Sequence, residues 1–109
     1  MVSVAGNPIL HVKHEAGVTE FLAEVKVKDR VRLTVRSREL GAVYCLREMQ
    51  GELFYFDEAE AERLRLICNS NSWGECGRQF VATVVRAAPT LVATIIGRQL
   101  ESIELLEAA

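Results

Sequence analysis

From Phe21 to Val35 the chain alternates. Phe21, Ala23, Val25, Val27, Val31, Leu33 and Val35 hold the odd positions, interrupted by Asp29. After Leu22 the even positions are Glu24, Lys26, Lys28, Arg30, Arg32 and Thr34. A period of two marks strands with one buried face. A break at Lys28-Asp29-Arg30 would set Val27 opposite Val31 and Val25 opposite Leu33, all on one face. The pattern therefore predicts a hairpin closed by a three-residue loop.

A second hairpin is predicted around Gln50-Gly51, between "AVYCLREM" (42 to 49) and "ELFYF" (52 to 56). Glycine supplies the positive φ that a tight turn needs. Val43, Cys45, Phe54 and Phe56 would lie on one side and Tyr44, Leu46, Leu53 and Tyr55 on the other. A strand pair apolar on both sides must be covered on both. Near the N-terminus, "ILHVKH" (9 to 14) alternates as well and is read as strand, although Asn7, Pro8 and Gly17 could equally bound a helix.

The pattern then changes period. Asp57 and Glu60 have capping-box spacing, acids fill the first turn, and Arg63 and Arg65 follow, as the helix dipole favours. Ala61, Leu64 and Cys68 share one helical face, and "NSNS" (69 to 72) ends the run. Beyond it, "VATVV" (81 to 85) echoes in "VATII" (92 to 96). A loop at Ala87 to Thr90 would set Thr83 opposite Thr94 in a third hairpin; two helices are the alternative for 78 to 97. Leu100, Ile103 and Leu106 have helical spacing and predict a closing helix. The expected fold is α+β: a twisted antiparallel sheet built from hairpins, a helix near 57–69 and a C-terminal helix, in one domain over residues 1–109.

Composition extends this picture. Half of the 109 residues are hydrophobic, while a domain of this size buries only about two-thirds of its unfolded surface. Surplus apolar surface points to a homodimer. The net charge of −2 argues against a chain built as a whole to condense on polyanions. Three cysteines at uneven spacing match neither a disulfide framework nor a zinc set, and with no signal-like leader the expected setting is the cytoplasm. The apolar window 80 to 97 has Arg86 and Pro89 at its middle, so no membrane span is expected.

Candidate chemistry is sparse. Lys26, Lys28, Arg30, Arg32, Arg36 and Arg38 form a basic run against one acid, Asp29. Such a face could meet an acidic protein or nucleic acid, or be solvated or paired internally with the acids of residues 47 to 62. No aromatic residue interleaves with it, which disfavours single strands. His11 and His14 have metal-like spacing only if helical, and no third ligand is marked. In "CNSNSWGECG" (68 to 77), Cys68 falls on the core face of the helix, and Trp73 is a core plug or an interface anchor. A Cys76 in the first turn of a following helix would have a lowered pKa, but Glu75 opposes that. A pocket edged by Tyr44, Tyr55 and Cys76 would suit a ligand binder or a thiol-dependent enzyme. No cofactor fingerprint or catalytic constellation is present. The reading is a small non-enzymatic binding or regulatory module.

Overall fold

The computed structural model describes residues 10–11, 25–36, 40–70, 78–88 and 99–109. In chain order the elements are β1 (Leu10–His11), β2 (Arg30–Val35), α1 (Leu40–Glu48), β3 (Phe54–Tyr55), α2 (Glu58–Cys68), β4 (Gln79–Val84) and β5 (Leu100–Glu107). The strands form one sheet in the order β1-β5-β2-β4-β3, and every adjacent pair is antiparallel. The fold is α+β.

Strand β2 is the centre of the sheet, and its alternation survives. Val31, Leu33 and Val35 are fully buried, while Arg30, Arg32 and Thr34 face the other way and are half-buried. Across the sheet the buried row continues as Leu33 beside Phe80 and Ile103, and Val31 beside Ala82 and Leu105. Ala42, Val43 and Leu46 of α1 and Leu64, Ile67 and Cys68 of α2 close this face into one apolar core. Phe56 and Phe80 meet edge-to-face within it, their ring centroids 6.2 Å apart.

Over the described part of the predicted 21–35 hairpin, β2 pairs with β4 on one side and β5 on the other and not with residues 25–27; residues 21–24 lie outside the described residues. Val31 lies opposite Ala82 and Leu105 and not Val27, which is exposed. A turn at Lys26–Asp29 does precede β2, with the Asp29 amide donating to the Lys26 carbonyl at 3.1 Å. The second hairpin is also replaced. Residues 40–48 are helical, since Ala42, Val43, Leu46 and Met49 share one face at helical spacing and are all buried. Gly51 does turn the chain at φ 86°, and Phe54–Tyr55 is a strand as read.

Helix α2 matches its expectation. Asp57 is the N-cap, its side chain accepting from the Glu60 amide at 2.9 Å, and Asn69 is the C-cap. Strand β4 excludes the two-helix alternative over Gln79–Val84. It also excludes the Thr83–Thr94 pairing, because Thr83 lies between Arg30 and Tyr55; residues 92 to 96 lie outside the described residues. The C-terminal helix is instead β5. Its register shifts between Thr34 and Val35 and again between Arg30 and Val31, leaving Glu101 and Leu106 as extra residues. A bulge adds one residue to a period of two, and that gives Leu100 and Ile103 their helix-like spacing.

Candidate functional site

The basic run divides into two groups. Arg32 and Arg36 are engaged inside the sheet. The Arg32 Nη1 donates to Glu104 Oε1 at 2.9 Å across β2 and β5, with the glutamate side chain only 14% exposed. The Arg36 Nε donates to the Leu100 carbonyl at 2.9 Å. Arg30 stands opposite Glu107 and Thr83. The partner of Arg32 thus comes from β5 and not from residues 47 to 62. Within that acidic stretch, Glu60 and Glu62 pair with Arg63 and Arg65 of their own helix. The Arg65 hydrogen bond holds the Glu62 carboxyl below its ordinary pKa.

Lys26 and Lys28 form the second group, at the turn before β2. The Lys28 amide donates to the Val84 carbonyl at 2.7 Å, and the Val84 amide donates to the Asp29 carbonyl at 2.8 Å. These bonds set the turn beside the end of β4, where Val85 and Arg86 follow. Lys26, Val27, Lys28, Val85 and Arg86 are all exposed. Among the described residues, no carboxylate is within ion-pair distance of Lys26, Lys28 or Arg86. Lys28 has φ 79°, a left-handed conformation that a lysine rarely adopts. Asp29, 4% exposed, holds the turn from below: Oδ2 accepts from the Lys26 amide at 2.9 Å and Oδ1 from the Ala109 amide at 2.7 Å.

This cluster of two valines among three cations was half-visible in the sequence. Lys26 and Lys28 were singled out, but Val85 and Arg86 join them only through the β2–β4 pairing. No local pattern carries that information.

The other candidates separate. The Tyr44 hydroxyl donates to the Cys68 carbonyl at 2.9 Å, at the C-terminal end of α2. Tyr55, opposite Thr83, precedes the N-terminal end of the same helix. A helix of 11 residues is roughly 16 Å long at about 1.5 Å per residue, so the two tyrosines stand near opposite ends of α2. An open groove of about 430 Å³ lies beside α2, lined by Arg47, Gln50, Glu58, Ala61, Glu62, Leu64 and Arg65. Neither Cys45 nor Cys68 is in a disulfide. Cys68 is buried in the core, and that burial raises its pKa against the opposing influence of Arg47. Arg38, His14, Trp73 and Cys76 lie outside the described residues, and His11 is described only by its place in β1. Among the described residues no three His, Cys, Asp or Glu side chains group as metal ligands, and no helix is long and apolar enough to cross a membrane. No family model, curated protein or solved structure matches the chain.

Proposed function

We propose that this protein is a small non-enzymatic binding module of the cytoplasm, and that its contact surface is the turn at Lys26–Lys28 together with Val85 and Arg86. The observation that carries the reading is the exposure of three cations without a carboxylate partner among the described residues, one of them fixed at positive φ. A strained backbone persists where surrounding structure holds it, and such positions concentrate at functional sites. Val27 and Val85 between the cations favour an acidic protein segment with apolar side chains over single-stranded nucleic acid, since none of the five residues Lys26, Val27, Lys28, Val85 and Arg86 is aromatic. The thiols of Cys45 and Cys68, neither of them in a disulfide, suit a reducing compartment.

The test is retention on immobilised heparin and binding of an acidic, leucine-containing peptide at low salt. Wild type is expected to bind the peptide, weakening as salt rises, and K26E/K28E/R86E to lose it. Equal binding by the triple variant removes the reading. Retention on heparin without peptide binding transfers it to a nucleic acid partner.

Homodimerisation is part of the same proposal. Tyr44 and Leu66 are exposed near the C-terminal end of α2 and offer apolar contact surface. A light-scattering mass of one chain across a concentration series would remove that part.

A further inference from the structure

Strand β3 pairs with β4 only at Phe54–Val84 and Tyr55–Thr83. At Asp57 the chain leaves the sheet and enters α2, so among the described residues no strand lies beside the edge of β4 at Gln79 and Val81. Two side chains from the first turns of α2 occupy the place. Glu60 Oε2 accepts from the Val81 amide at 2.8 Å, and Arg63 Nη2 donates to the Gln79 carbonyl. Glu60 and Arg63 are joined by an ion pair of 2.9 Å, and the guanidinium lies 4.3 Å from the centre of the Phe80 ring. A carboxylate stands in for a strand carbonyl and a guanidinium for a strand N–H.

The two backbone groups they cover are self-complementary. In an antiparallel pair, every second pair of opposite residues exchanges N–H and C=O, and the outward-pointing Val81 N–H and Gln79 C=O place these two residues in such a pair. If a two-fold axis passed at Phe80, Val81 of one copy would face Gln79 of the other. The Val81 N–H and the Gln79 C=O would then satisfy each other twice over. An isologous contact needs this property, and an uncovered edge is a template for pairing. We infer that the outer edge of β4 at Gln79–Val81 is a strand-pairing surface for a second copy of this chain, held shut by the Glu60–Arg63 pair acting as a gate.

The inference is independent of the cationic turn, and its test reads mass and amide exchange in the full chain. In E60A/R63A the weight-average mass is expected to rise at least twofold relative to wild type on concentrating, because the edge contact adds to any association through Tyr44 and Leu66. The Val81 amide should lose protection when dilute and regain it when concentrated. E60Q retains an oxygen that accepts from Val81 and should behave as wild type. A folded E60A/R63A of unchanged mass overturns the inference, as does a rise in mass without renewed protection at Val81. Should the double variant lose its native circular dichroism, E60A alone decides. It leaves Arg63 over Phe80, and the same dimer is expected at higher concentration, while a folded E60A of unchanged mass overturns the inference equally.

Discussion

Asp29 and Ala109, eighty positions apart, are joined by a hydrogen bond of 2.7 Å from the alanine amide to Oδ1. The same buried carboxyl accepts the Lys26 amide through Oδ2, so one side chain ties the turn before β2 to the chain just beyond β5. Replacing it with alanine leaves two amides without their acceptor. Each lost bond to a charged group is worth about 1–3 kcal/mol, and the exposed surroundings of Lys26 and Ala109 let water recover part of it. D29A is therefore expected to lose about 2 kcal/mol in urea unfolding, with faster exchange at the Lys26 and Ala109 amides. D29N, which retains one acceptor oxygen, should lose about half as much. Equal stability of D29A and wild type would show that the carboxyl does not anchor the turn.

Lys28 separates stability from binding. A side chain at φ 79° costs about 1–2 kcal/mol, and glycine relieves that at a cost of about 0.5–1 kcal/mol in unfolded-chain entropy. K28G is expected to gain about 0.5 kcal/mol while weakening the acidic peptide through loss of one cation. A stability gain with unchanged affinity would show that the lysine is not a contact.

How much of this was legible depended on whether local pattern and tertiary partner agreed. The buried row Val31, Leu33, Val35 was read from alternation alone, and so was the helix capped by Asp57, because each signal lies within a few residues. The partners of β2 were not, since pairing with the next strand in sequence satisfies the same pattern as pairing with β4 and β5. Residues 42–49 read as a strand because Gln50-Gly51 offers a tight turn between two apolar stretches; burial of Ala42, Val43, Leu46 and Met49 along one helical face makes them α1. In β5, the extra residue at Glu101 imitated helical spacing. At the candidate site, the lysines were visible, and their neighbours across the sheet were not.

Gly51 gives a clean test of backbone conformation. It adopts φ 86°, and a Cβ there would meet nothing within 4 Å. Any cost of G51A is therefore conformational and should be about 1 kcal/mol. G51N, whose side chain tolerates the left-handed region, should cost less. A neutral G51A would mean that the turn from α1 to β3 can be made in another conformation.

Cys45 sets an alkaline limit on stability. It sits half-buried on α1, where burial first and Glu48 second push its thiol from 9.0 up to about 11. In the unfolded chain the thiol returns to its ordinary range. Below pH 9 both states hold the proton, and the group is neutral in the balance. As pH rises from about 9 towards 11 the unfolded chain releases the proton while the folded protein retains it. Stability therefore falls across that window and levels above it. Burial raises the Cys68 thiol as well, so its removal should also reduce the slope. Tyrosines and lysines titrate in the same range, and the comparison that isolates the thiol is wild type against C45A. Urea midpoints measured from neutral pH upward should decline less steeply above pH 9 in C45A, whatever the constant offset from its smaller side chain. E48Q removes the repulsive neighbour and should lower the pH at which the native thiolate absorbance appears. Parallel declines in wild type and C45A would show that Cys45 titrates alike in the folded and unfolded chains.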